Sequence, residues 1–190
     1  MKSIELKGII SPILTPMYED ESINFEELRH QVDRMIDNGI HGIFPFGTNG
    51  EGYILSAEEK KQVLEVVVDQ AAGRVPIYAG SGAISTKETI EQSKMAQAVG
   101  ADVLSIITPS FAAASQEEIY THYKTVAEAV DLPIVLYNIP LERLHAQQRA
   151  DADAHQHANH FATQHREEDL QKALNQRGAV HTHDAADDDA

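Results

Sequence analysis

A parallel α/β fold is what this sequence predicts, on three observations. Short apolar runs recur at a steady interval, one helix-patterned stretch separates each run from the next, and a polar loop follows each run. The runs are apolar on both faces, as strands are when helices cover a parallel sheet.

The elements follow in order. Residues 8–14 (Gly-Ile-Ile-Ser-Pro-Ile-Leu) read as a first strand. Asn24 caps a helix whose apolar positions Phe25, Leu28, Val32, Met35 and Ile36 recur at three and four residues, and Gly39 ends it. Residues 40–46 form the second strand. Ser56 with Glu59 makes a capping box for a helix running towards Gly73. Residues 75–79 are the third strand, and Ser85 with Glu88 is a second capping box for a helix that Gly100 closes. Residues 102–108 are the fourth strand. Ser115 and Glu118 open a helix that ends before Asp131, and residues 133–138 are the fifth strand.

Four βα units and a fifth strand fit either a (β/α)8 barrel or a doubly wound open sheet. Even spacing and polar loops after every strand favour the barrel. A whole barrel takes about 250 residues, so a 190-residue chain is expected to be an incomplete one, about five strands and four helices. The expected division is a barrel-like domain over residues 1–140 and a tail over 141–190.

Composition narrows the function classes. With 42% apolar and 24% charged residues the chain is ordinary for a soluble protein. A net charge of -15 argues against nucleic acid and anionic membrane as partners. The absence of cysteine excludes disulfides, thiolate metal sites and a cysteine nucleophile. No long apolar region follows Met1, so neither signal peptide nor membrane span is expected, and a cytoplasmic setting is the default.

The stretch most suggestive of chemistry is Gly47-Thr48-Asn49-Gly50-Glu51-Gly52, between the second strand and the Ser56 helix start. Its three glycines permit positive φ and let backbone N–H groups approach a ligand unobstructed. Thr48 and Asn49 add short polar side chains, and successive N–H groups can form a concave anion site. Strand carboxyl ends are where such folds bind ligands. The pattern suits a small carboxylate or phosphate, although glycine content alone equally fits a tight βα connection. It matches neither the dinucleotide GxGxxG spacing nor a phosphate loop ending in Gly-Lys-Ser/Thr.

From Leu141 the patterning dissolves into Ala, Asp, His and Gln. Val180 is the only β-branched aliphatic residue after Pro140, so no buried strand is expected there, although residues 167–176 could make one helix with Leu170 and Leu174 four apart. The remainder lacks the apolar surface to offset chain entropy and reads as irregular or disordered. Seven histidines, including His155, His157 and His160, lie in this tail. Imidazole clusters can bind transition metals, but biased composition accounts for them better, and no metal site is expected. So abrupt a change is what an out-of-frame or recombined end would give, and the genomic sequence around codon 141 tests it.

Three segments in order carry a family resemblance: Gly47-Thr48-Asn49-Gly50-Glu51 after the second strand, Ile107-Thr108-Pro109 after the fourth, and Tyr137-Asn138-Ile139-Pro140 at the fifth. Over about residues 5–140 the chain resembles the dihydrodipicolinate synthase / N-acetylneuraminate lyase family of pyruvate-dependent class I aldolases. The resemblance implies Schiff-base catalysis on a 2-oxo acid (pyruvate) and an aldehyde, without a cofactor, in a homo-oligomer. It further implies that Thr48 and Asn49, with Gly47 and Gly50, hold the pyruvate carboxylate, and that Tyr137 relays protons. Thr48 and Tyr137 are the residues matched to catalysis.

Three departures stand out. Ser110-Phe111 occupies the place where synthases carry a tyrosine reaching a neighbouring subunit, and Phe111 cannot relay a proton; a lyase or sugar-acid aldolase fits better. Glu142 stands where the synthases have an arginine, and Arg143 is one step off. The Schiff-base lysine belongs to a sixth strand with no counterpart here. Lys172 falls in a helical context, while Lys60, Lys61, Lys87, Lys94 and Lys124 fall on helices, the outside of a barrel. The chain is therefore expected to be impaired, or to be a non-catalytic fragment that self-associates or needs a partner.

Overall fold

A computed structural model describes residues 7–109 and 114–138, together with the backbone of residues 180–182. Strands and helices alternate as the sequence predicts: β1 (Ile10–Pro12), α1 (Phe25–Asp37), β2 (Gly42–Phe44), α2 (Ala57–Ala71), β3 (Tyr78–Gly80), α3 (Thr86–Val99), β4 (Val103–Ile107), α4 (Gln116–Ala129) and β5 (Ile134–Tyr137). The ladders are shorter than the apolar runs by a residue or two at each end, except that β3 starts three residues late and runs on to Gly80; such boundaries are softest.

All ladder pairings are parallel. β1 pairs with β2, and β3, β4 and β5 pair in sequence, in registers such as Ile10↔Gly42, Tyr78↔Val103 and Ile107↔Tyr137. A bridge between Ile43 and Ile77 joins the two groups, and the Gly80 N–H donates to the Pro45 carbonyl at 3.1 Å beside it. The strand order thus follows the chain, as in an arc of a (β/α)8 barrel.

One short segment of the tail pairs with the sheet. Val180–Thr182 is a strand, β6, parallel to β5 with Val135 opposite Val180 and Tyr137 opposite Thr182. A ladder is made of backbone N–H and C=O groups, and the free edge of β5 offers them to any extended segment. Counting apolar residues does not reveal such a partner. The candidate helix over 167–176 and histidines 155, 157 and 160 lie outside the described residues.

Each helix starts where its cap predicts. Asn24 accepts from the Glu27 N–H, and Ser56 and Ser115 form reciprocal boxes with Glu59 and Glu118. At Ser85 only half the box forms: its hydroxyl accepts from the Glu88 N–H, while the Glu88 carboxylate accepts instead from Gln92 at 3.2 Å. The neighbouring Thr89 hydroxyl completes that corner, accepting from the Ala83 N–H at 3.1 Å and donating to the Ser85 carbonyl.

Alternation along the strands divides the sheet into two faces. Ile43, Ile77, Ala79, Leu104, Ile106, Ile134 and Leu136 point outward and form one core with Leu28 and Val32 of α1, Val63, Leu64 and Val67 of α2, Ala96 of α3 and Val126 of α4. Phe44, Gly80, Ser105, Ile107, Val135 and Tyr137 share the other, inner face through the same registers. Tyr78 and Val103 seal that face at its amino-terminal end, and it opens towards the carboxyl ends of the strands.

Candidate functional site

The carboxyl ends of β2, β3 and β5 converge on one side chain, Phe44. Its ring meets the Tyr137 ring edge-on, with centroids 6.3 Å apart and planes at 87°. The same ring packs against Gly47 and Gly80, where an added Cβ would lie 3.1 Å from its Cε1 and Cε2 respectively. The start of the glycine turn and the candidate tyrosine therefore contact a common ring from different strands.

Residues 48–50 form a single 3-10 turn with Gly47 extended ahead of it (φ -69°, ψ 175°). The turn closes on itself, since the Gly50 and Gly52 N–H groups both donate to the Gly47 carbonyl, at 3.1 and 3.3 Å. That leaves the Thr48 and Asn49 N–H groups and both side chains without a hydrogen bond among the described residues, and both residues are exposed. Thr15, beyond β1, ties the turn down by donating from Oγ1 to the Gly50 carbonyl at 2.7 Å.

The role expected of the glycines is corrected here. None of Gly47, Gly50 and Gly52 has positive φ; the left-handed residues are Phe46 (φ 69°) and Glu51 (φ 53°). The glycines serve close approach instead. A Cβ at Gly50 would stand 2.6 Å from the Ile13 carbonyl oxygen, and one at Gly52 only 2.5 Å from that of Phe46. An aromatic residue held at positive φ is strained, and here it directly precedes the turn.

Tyr137 is half-buried, and its carbonyl is doubly held: the Thr108 N–H and Oγ1 both donate to it, at 3.1 and 3.3 Å. Behind the sheet, Tyr123 of α4 donates to the Ile106 carbonyl at 3.3 Å. Burial pushes its phenol up to about 12, against a hydrogen bond with Thr108 that acts the other way. Tyr123 is thus a neutral strut, whereas the Tyr137 phenol makes no hydrogen bond among the described residues. Phe44, Thr15 and Thr108 were not singled out as site residues from the sequence. Phe44 stands two residues after Gly42, hence on one face with it, a signal that the apolar run 40–46 obscures.

One of the lysines expected on helices is also buried. Lys60, on α2, is 9% exposed, and its ammonium donates to Gln92 Oε1 of α3 at 3.2 Å. Burial lowers its pKa, while the Glu88 carboxylate opposes the shift. It is inaccessible because the neighbouring helix covers it, a packing fact that helix periodicity does not convey. Lys61 and Lys87 pair with Glu65 and Glu91, and the Lys124 ammonium lies 5.8 Å from the Tyr120 ring centre. Ser110, Phe111, Glu142, Arg143 and Lys172 lie outside the described residues. Among the described residues there is no group of three or more His, Asp or Glu placed to hold a metal ion, and no helix long and apolar enough to cross a membrane.

With this geometry in view, residues 5–147 match the Dihydrodipicolinate synthetase family. The chain belongs to that family. It is 45% identical over 135 residues to the 4-hydroxy-tetrahydrodipicolinate synthase of Neisseria meningitidis serogroup B, covering 71% of this chain and 46% of that protein. Against the same enzyme of Methanopyrus kandleri it is 42% identical over 137 residues, covering 72% and 46%. Among solved structures, the chloride-inhibited dihydrodipicolinate synthase of Acinetobacter baumannii in complex with pyruvate superposes with a TM-score of 0.71 at 34% identity, over 93% of this chain and 64% of that one. The CdNal protein of Clostridium difficile in complex with mannosamine gives 0.78 at 26% identity, over 97% and 58%. The chain spans about half the length of the curated relatives it matches.

Proposed function

We propose that the Phe44-centred cleft is the pyruvate-binding part of a Schiff-base aldolase or lyase of the dihydrodipicolinate synthetase family. In this reading the Thr48 hydroxyl and the Thr48 and Asn49 N–H groups hold the carboxylate of a 2-oxo acid, and Gly47 and Gly50 let the backbone come close. The observation that carries it is the meeting of the Gly47 turn and Tyr137 on one ring. The reaction needs a lysine amine to attack the oxo carbon. Water then leaves, an iminium forms, and loss of a methyl proton gives an enamine that adds to an aldehyde. Tyr137 is the relay, because a phenol can accept and donate along one hydrogen-bonded path.

The described lysines stand on helices, apart from Lys7 ahead of β1. We therefore read the chain as impaired in its covalent step, with binding of the oxo acid retained. A cytoplasmic homo-oligomer is the setting this reading carries.

Pyruvate titration and borohydride trapping test the reading separately. Saturable pyruvate binding that Thr48→Val weakens at least tenfold is the expected result, and the absence of binding at tens of millimolar would overturn it. A borohydride-dependent pyruvyl adduct on a lysine would overturn the impairment while establishing the activity.

A second reading, self-association of a non-catalytic fragment, is favoured by the partly exposed inner-face residues Ile107, Val135 and Tyr137 and by β1, whose outer edge has no ladder partner among the described residues. Sedimentation then shows mass rising with concentration. A monodisperse, cooperatively unfolding monomer disposes of it.

A further inference from the structure

We propose that Phe44 is a positioning residue, whose ring sets the Tyr137 phenol at a defined distance from the Gly47–Gly50 turn. The inference rests on the functional reading above and adds the part that holds its two halves in register.

The ring is held on three sides. Gly47 lies against the Cε1 edge, Gly80 against the Cε2 edge, and Tyr137 meets it at right angles. Neither glycine has positive φ, so backbone conformation does not demand glycine at either place. Space does: a methyl group at Gly47 would press on the Phe44 ring at 3.1 Å, and one at Gly80 would meet that ring at 3.1 Å together with the Phe46 and Pro45 carbonyl oxygens at 3.0 and 3.1 Å. Gly47 after β2 and Gly80 at the end of β3 thus leave room for one aromatic side chain, and that side chain braces a third strand. The Tyr137 carbonyl is fixed independently by Thr108, so its backbone is anchored while the direction of its ring depends on what it packs against. A misplacement of about 1 Å in a reacting group can cost roughly 100-fold in rate. A residue that only packs can therefore control the site.

Gly47 provides a clean probe. At φ -69° and ψ 175° its backbone accepts alanine, and the three nearest atoms to the new methyl all belong to the Phe44 ring. Gly47→Ala should act on Tyr137 only through Phe44, which makes the pair suitable for a double-mutant cycle.

The experiment uses the whole chain labelled with 3-fluorotyrosine, with Tyr137→Phe identifying the Tyr137 fluorine resonance. Phe44→Leu and Gly47→Ala should each displace that resonance, and Phe44→Leu should raise the pyruvate dissociation constant at least threefold. In the Phe44→Leu background, Gly47→Ala should add nothing to the displacement. Phe44→Met, which keeps volume without the ring, replaces Phe44→Leu if that variant does not fold. An unmoved Tyr137 resonance in the Phe44 variant, or an undiminished Gly47→Ala effect without the ring, overturns the proposal. If pyruvate moves no resonance of the native chain, the functional reading fails instead, and the brace is judged on the variant shifts alone.

Discussion

The two faces of the sheet are made from alternate residues of the same strands, yet they live in different environments. Leu104, Ile106, Ile134 and Leu136 face the helices and are sealed; Ile107, Val135 and Tyr137, each one residue away, face inward and stay partly exposed. The outer face supplies the core, so the inner face is free to carry a phenol and an open glycine turn. Fold stability and candidate chemistry are thereby assigned to opposite sides of one ladder, the division of labour expected of a (β/α) barrel.

The largest effect should come from the sealed side. Leu104→Ala leaves a cavity among Ile134, Val126 and the other outer-face residues, and should cost about 2–5 kcal/mol of unfolding free energy in urea. A cost comparable to that of an inner-face substitution would break the comparison. Next comes the rim. Gly52→Ala places a methyl group 2.5 Å from the Phe46 carbonyl oxygen and 2.7 Å from its Cα, atoms that cannot swing aside. Phe46 is already at positive φ. We expect a loss of about 1–3 kcal/mol and disturbed pyruvate binding; a thermal midpoint equal to that of the native chain would show that the rim is soft.

The helix layer also holds a polar weak point. His122 of α4 is 5% exposed; Nδ1 lies 2.9 Å from the Thr86 hydroxyl of α3, Nε2 has no partner among the described residues, and the ring stacks edge-on with Tyr123. Burial lowers its pKa below the ordinary value of 6.5. The sign follows: above 6.5 the ring is neutral folded or unfolded and nothing is lost. Below it the unfolded chain takes up a proton that the folded chain resists, so stability falls as pH falls. His122→Gln should flatten the decline in urea midpoint between pH 7.5 and 5.5, relative to the native chain. An unchanged slope would place the titration elsewhere.

How much of this was legible follows the same division. Five strands and four helices could be read because caps and periodicity are local: Asn24, Ser56, Ser85 and Ser115 all start helices where their spacing says. Gly47, Thr48, Asn49, Gly50 and Tyr137 could be named as candidate site residues because they sit at strand ends in recognisable order. Phe44 could not, since its significance comes from Gly80 and Tyr137, which are 36 and 93 residues further along the chain. Burial of Lys60 depends on where α3 packs, and β6 on the free edge of β5. Phe44, Lys60 and β6 each depend on a contact between distant segments, whereas the left-handed Phe46 and Glu51 are a local feature that the glycine spacing obscured.

The smallest expected effect is also the most discriminating. Val135 stands on the inner face, directly between Ser105 of β4 and Val180 of β6 in the ladder, and is only partly covered. Truncating a partly exposed valine removes less buried area than truncating a sealed one, so Val135→Ala should cost roughly 1 kcal/mol in dilute solution. The outward-facing Ile134 next to it is 2% exposed and should cost about 2–5 kcal/mol when cut to alanine. The gap between the two measures how open the inner face is in solution. If a second copy of the chain covers that face, the Val135 cost should climb with protein concentration while the Ile134 cost at fixed assembly does not, because burial at an interface stabilises by mass action. A concentration-independent gap keeps the inner face open and leaves Phe44 and Tyr137 accessible to a small oxo acid.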